Sequence, residues 1–124
     1  MATPADSVRT PRGDLLVRRL RYARSPLPRM RGLLGASALA PGSGLWLEPA
    51  PSVHTCFMRF PIDVVFLDRA RRVLRIAADV GPWRFVGARH ARVALELPAG
   101  AASRAGLVVG DTLAIVRAEQ EGSA

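Results

Sequence analysis

Apolar and polar positions alternate along most of this chain, in short runs separated by turn residues. In HTCFMRF (54–60), His54, Cys56 and Met58 share one face of an extended segment, and Thr55, Phe57 and Arg59 share the other. Pro61 interrupts the run, as at a strand junction or edge. IDVVFLD (62–68) continues it. Ile62, Val64 and Phe66 fall on one side there, and Asp63, Val65 and Leu67 on the other. In RVALELPAG (92–100), Val93, Leu95 and Leu97 lie together, with Ala94 and Glu96 opposite. DLLVRRLRYA (14–23), GLWLEP (44–49), VLRIAADV (73–80), WRFVG (83–87) and VVGDTLAIVRA (108–118) read as further strands, the last entered through a Gly110–Asp111 turn.

Two pieces break the alternation. Ser25 can cap a helix that begins at Pro26, carries Met30, Leu33 and Leu34 at helical spacing and stops at Gly35. PAGAASRAG (98–106) supplies one or two helical turns between Pro98 and Gly106. The expected architecture is β-dominated α+β. A compact barrel-like or sandwich-like antiparallel sheet would carry one or two short helices. Parallel βαβ units are not expected, because the second half lacks crossover helices of adequate length. The boundaries expected are a flexible basic tail over 1–12, a single β-rich domain over 13–118 and a frayed tail over 119–124.

Composition narrows this picture. A chain of 124 residues, 49% of them hydrophobic, suits one folded domain. No apolar run reaches the roughly 20 residues that span a bilayer, so no membrane span is expected. The first apolar cluster, DLLV, is too short for the core of a secretion signal, and a soluble, cytoplasmic protein is the expectation. A single cysteine, Cys56, forbids an intrachain disulfide.

The net charge is +8 and every basic side chain is arginine. Without lysine, Schiff-base catalysis and a Walker-type phosphate site are excluded. Eight arginines between Arg9 and Arg31 face only Asp6 and Asp14. That arginine-rich quarter could bind nucleic acid weakly, although Tyr22 is the only aromatic residue interleaved with it.

RGLLG (31–35), HTCFMRFPIDVVFLD (54–68), LELPAG (95–100) and AGLVVGD (105–111) recur here in the order and spacing of a known family. Over roughly residues 14–117 the chain resembles the domain of unknown function 192 family, an uncharacterised conserved family of bacteria and archaea. The resemblance implies a compact, β-rich, barrel-like fold and brings no activity, substrate or catalytic residue. Close members tend to carry an aromatic residue in place of Cys56, and often a cysteine in place of part of PAPS (49–52), which argues against Cys56 as a shared nucleophile. Many relatives begin with a secretion signal, a feature not visible here.

The candidate chemistry gathers around Pro61. His54, Cys56 and Met58 would suit a soft metal such as Cu(I), but three side chains on one strand fill a core more often than they bind metal, so no metal and no cofactor are expected. Cys56 with His54 as a nucleophile pair is disfavoured by the apolar strand around the thiol. Asp63, on an apolar strand face, must be paired if it is buried, with Arg59 or Arg31 the natural partners. Glu96 is read as solvated. His54, Arg59 and Asp63 are the expected ligand-binding residues of a shallow cleft. The leading expectation is a non-enzymatic binding or accessory module for a small ligand or peptide. A small hydrolase or lyase using Asp63 with His54 or Glu96 is the alternative.

Overall fold

The computed structural model describes residues 4–24, 39–56 and 58–118. Nine strands and one short helix follow in the order β1 (Asp6–Arg9), β2 (Leu15–Ala23), β3 (Ser43–Leu47), β4 (Ser52–His54), β5 (Ile62–Leu67), β6 (Val73–Val80), β7 (Phe85–Gly87), β8 (Val93–Pro98), α1 (Ala101–Arg104) and β9 (Ala114–Val116). Seven strands form one sheet in the order β6-β5-β8-β3-β2-β1-β9, and β4 pairs with β7 in a separate two-stranded ribbon. Among the described residues the architecture is β-dominated with one small helix, as the alternation implies. The helix expected from Ser25 to Gly35, with Arg31, lies outside the described residues.

The sheet is mixed rather than antiparallel, because β2 and β3 run parallel, Arg19 opposite Ser43 through Ala23 opposite Leu47. Connection 24–42 makes this pairing feasible, since parallel neighbours need a link of about a dozen residues or more. The sheet curls without closing into a barrel. Its two edge regions meet where Arg72 bridges Thr112 and Val73 exchanges backbone hydrogen bonds with Gly110 and Asp111 at 2.8–2.9 Å.

The period-2 pattern carries directly into the core. Val65, Leu67, Val93, Leu95 and Leu97 pack with Val8, Val17, Trp46, Ala102 and Leu113 on one side of the central strands. Ile62, Val64, Phe66 and Ala94 pack with Leu47, Met58, Phe60 and Val80 on the other, partly covered by Val53 and Val86 of the ribbon. Every residue of β5 is buried, which explains why its apolar residues occupy both faces.

The N-terminal segment differs from expectation. Within the stretch read as a flexible tail, Asp6–Arg9 forms β1 between β2 and β9, with Val8 fully buried. Arg12 is tied down too, donating to Asp111 at 2.6 Å and to the Gly106 carbonyl at 3.0 Å. Two prolines and few apolar residues concealed this strand. It is stabilised by pairing on both edges rather than by its own pattern. At its start, Tyr22 donates to Asp6 at 2.6 Å, and Arg117 donates to both at 3.0 Å.

Two predictions follow from this packing. Gly44 sits where a Cβ would lie 2.9 Å and 3.0 Å from the two methyl groups of buried Val17. Gly44→Ala should therefore destabilise the protein by about 1–3 kcal/mol in a urea titration, through overpacking at the parallel β2–β3 pair. Tyr22 is the chain's one tyrosine, so its ionisation can be followed alone by ultraviolet absorbance. Burial, and then the hydrogen bond to Asp6, pushes its hydroxyl up to about 12. A raised value means that its stabilising contribution is complete below the ordinary tyrosine pKa of about 10 and is lost as pH rises through about 12. In the Asp6→Asn variant the Tyr22 titration should move down toward the ordinary value.

Candidate binding cleft and the Asp63 anchor

Asp63 is buried, 1% exposed, and its carboxylate is taken up by backbone groups. Oδ1 accepts from Asp79 N–H at 2.9 Å, and Oδ2 accepts from Gly100 and Ala102 N–H, each at 3.1 Å. Both donor segments are irregular backbone. In the β5–β6 register Ile62 opposes Val80 while Val64 opposes Ala77, so β6 carries one extra residue opposite Asp63. This bulge puts Asp79 at φ 52° and aims its N–H at the carboxylate. On the other side, α1 begins without a side-chain cap from its own sequence, and Asp63 satisfies N–H groups of its first turn from across the fold. The expected pairing of Asp63 with Arg59 is thus replaced by backbone donors, and Arg59 is exposed. Strand alternation could reveal that Asp63 is buried, but not that a bulge and a helix start would reach it.

Glu96 is fully buried rather than solvated. It opposes Val64, whereas Asp63 opposes Leu97, so the two carboxylates project from opposite faces of the sheet. Asp63 lies on the face that packs Val65 and Leu97, and Glu96 on the face that packs Val64 and Phe66. The structure therefore does not bring this pair together. Nor is His54 among the hydrogen-bond partners of Asp63.

The strand expected through HTCFMRF ends at His54. Thr55, buried and 0% exposed, redirects the chain. Its N–H donates to the Arg84 carbonyl at 2.9 Å, and its carbonyl accepts from Met58 and Trp83 N–H, each at 3.1 Å. Its hydroxyl donates to the Gly81 carbonyl at 2.7 Å and accepts from Arg84 N–H at 2.8 Å. Cys56 therefore sits in a turn, its N–H donating to His54 Nδ1 at 3.3 Å, and Met58 is buried. The turn removes the strand geometry that would align His54, Cys56 and Met58. Among the described residues no group of three or more His, Cys, Asp or Glu side chains is placed to hold a metal ion.

Thr55 thereby holds the 81–84 turn against the end of β4, with Trp83 at φ 62°. Two large aromatic side chains are presented there: Trp83 is 61% exposed and Phe85 is 79% exposed. Phe85 opposes His54 in the ribbon, with ring centroids 6.0 Å apart and planes inclined by 50°. Beside His54 and Phe85 runs a cleft of about 490 Å3 between the ribbon and the chain following β3, with Trp83 outside its lining. Arg24, Pro49, Val53, His54 and Phe85 are among the residues lining it, and no carboxylate does so among the described residues. Of the expected ligand-binding residues, His54 lines this cleft, Arg59 is exposed outside its lining, and Asp63 is sealed in the core. From the sequence Trp83, like Trp46, reads as a cleft-lining or core-rim residue, and Phe85 only as part of a strand. Their signal was the apolar run WRFVG beside Gly81–Pro82, which reads equally well as a buried strand.

The family model for DUF192, described as an uncharacterized ACR, matches residues 8–115. The chain belongs to this family. The UPF0127 protein PF1050 of Pyrococcus furiosus is 41% identical over 63 residues, which are 50% of this chain and 53% of that protein. The chain thus spans about half the length of this curated relative. A protein of unknown function from Novosphingobium aromaticivorans, known from its crystal structure, is 25% identical with a TM-score of 0.71, covering 88% of this chain and 82% of that one. A candidate transcription regulator from Sinorhizobium meliloti superposes with the same TM-score of 0.71 at 22% identity, over 93% of this chain and 97% of its own, and shows the shared fold alone. Family membership accords with the β-rich fold and assigns no chemistry to the cleft. Among the described residues no helix is long and apolar enough to cross a membrane.

The anchor generates a prediction. Asp63→Ala strands buried backbone N–H groups at the bulge and at the start of α1. At about 1–3 kcal/mol for each buried donor left unsatisfied, chemical denaturation should show a loss of roughly 3 kcal/mol or more. An unchanged midpoint would show that water replaces the carboxylate at no cost.

Proposed function

We propose that this chain is a binding or accessory module that takes a small ligand or a peptide against the β4–β7 ribbon, with His54, Trp83 and Phe85 as contact residues and Arg59 and Arg24 at the margin. The observation that carries this reading is the exposure of Trp83 and Phe85 on backbone that Thr55 holds in place. Leaving large aromatic side chains in water is unfavourable for a domain that could turn them inward, and exposed apolar patches commonly mark interaction sites. A left-handed tryptophan costs about 1–3 kcal/mol of backbone strain, the kind of cost that clusters at binding clamps. Asp63 serves this site as architecture, by fixing the end of β6 from which the 81–84 turn departs.

The alternative of a hydrolase or lyase built on Asp63 with His54 or Glu96 is weakened by the geometry. A general acid or base must lie within hydrogen-bond reach of its substrate. Asp63 has its oxygens occupied by backbone donors and Glu96 is fully buried on the other face. The basic N-terminal quarter is likewise a poor free arm, since Arg9 donates to the Gly13 carbonyl and Arg12 is held by Asp111 and Gly106.

A fragment and short-peptide library screened by amide chemical-shift mapping tests the reading. Hits should move the signals of 52–56 and 81–87, and Phe85→Ala should weaken them about tenfold while leaving the melting temperature within error. Hits that map to other surfaces, or that ignore Phe85→Ala, would overturn it.

A further inference from the structure

The charge around the ribbon narrows the class of partner. Arg84 lies between the two exposed aromatics in sequence, and Arg24 lines the cleft. Arg75 donates to the Gly87 carbonyl at 2.7 Å, which places its guanidinium at the end of β7. Arg59 and Arg89 are exposed in the segments that leave β4 and β7. Against these five arginines, the nearby acidic side chains are few. Glu48 already accepts from Trp46 at 3.0 Å and Arg92 at 3.2 Å, and Asp79 stands exposed beside the turn. The site thus combines exposed aromatic side chains with a surplus of positive charge, on a ribbon held by backbone hydrogen bonds.

We infer that the β4–β7 ribbon binds single-stranded nucleic acid, with unpaired bases stacking on Phe85 and Trp83 and the sugar–phosphate chain tracking the surrounding arginines. This rests on the ribbon being the binding face. Stacking on an exposed aromatic is tolerant of base identity, because every base has a π-face, and guanidinium groups supply the matching electrostatic groove. A duplex hides its base faces and would use only the charges. An acidic peptide would also satisfy the arginines, but it brings no rings to stack. The nucleic-acid footprint centres on the ribbon, and of the arginine-rich N-terminal quarter it draws in Arg24 alone.

The two tryptophans make the test direct, because Trp83 is 61% exposed whereas Trp46 is 4% exposed. The full chain is titrated with a thymidine homo-oligonucleotide of ~10 nucleotides, within the range one small binding surface covers, and with a polyglutamate peptide of similar charge. The oligonucleotide should quench tryptophan emission, and Trp83→Phe should abolish most of the quench. Phe85→Ala and Arg84→Ala should each weaken binding of a labelled oligonucleotide about tenfold, in the range expected for one stacked base or one strong phosphate contact. Binding should also fall steeply between 50 and 200 mM salt.

Absence of binding at low salt overturns the inference, as does binding that Trp83 emission and Phe85→Ala do not register. Equal binding of polyglutamate, with Trp83 emission unmoved, assigns the surface to acidic peptides instead. Should a variant fail to fold, amide mapping of the oligonucleotide on the unaltered chain decides, since shifts must centre on 52–56 and 81–87. If fragments or peptides move those signals and the oligonucleotide does not, the inference fails and the ribbon remains a binding face. If neither moves them, both readings fall.

Discussion

The carboxylate of Asp63 is the contact on which the rest of the arrangement depends. A charged group at the centre of a sheet is costly to bury, and it is tolerated here because three backbone N–H groups converge on it. The dependence runs both ways. The β6 bulge and the start of α1 would each bury or expose an orphan donor without Asp63. One side chain in the middle of β5 thus ties the end of β6 to the turn between β8 and α1, elements that are distant in sequence. The local backbone permits it through Asp79 at φ 52° and Gly100 at φ 90°. At Gly100 the positive φ favours glycine, whereas the 2.6 Å approach of a Cβ to Arg104 Nη1 could be relieved by that flexible side chain.

Thr55 performs a similar service in the second layer. Its N–H, carbonyl and hydroxyl all engage the 81–84 turn, so β4 and the segment before β7 behave as one unit although only three residue pairs form the ribbon. A ribbon this short would be marginal alone. It is stabilised by Val53 and Val86 packing onto the core cluster of Ile62, Val64 and Phe66 and by the Thr55 hydrogen bonds. That division of labour leaves the opposite side of the ribbon available for exposed rings. The result is a ribbon whose backbone is held by hydrogen bonds and core packing while Phe85 stays exposed.

The strands were legible wherever one physical signal dominated. The alternations in 62–67 and 93–97 assigned each apolar residue to the core cluster it joins, because a pleated strand sends successive side chains to opposite faces. The same signal set Glu96 opposite Leu95 and Leu97 within its own strand, but it could not tell whether that second face met water or a second core. Glu96 was therefore misplaced in solvent. β1 escaped notice because its stability comes from two neighbouring strands. HTCFMRF alternates throughout, yet the chain turns after His54 because Thr55 finds better partners in the 81–84 turn than a longer strand would offer.

By itself the sequence determined the β-rich class, most of the strands, a short helical piece after Pro98 and the family. These follow from periodicity, turn residues and long specific motifs, all of which act locally along the chain. Only the tertiary structure decided the parallel β2–β3 pairing, the opposed faces of Asp63 and Glu96, the backbone partners of Asp63 and the joint exposure of Trp83 and Phe85. Each of those depends on which distant segment a residue meets. Periodicity reports that a side chain has an inside and an outside, and the packing of distant segments decides what occupies each.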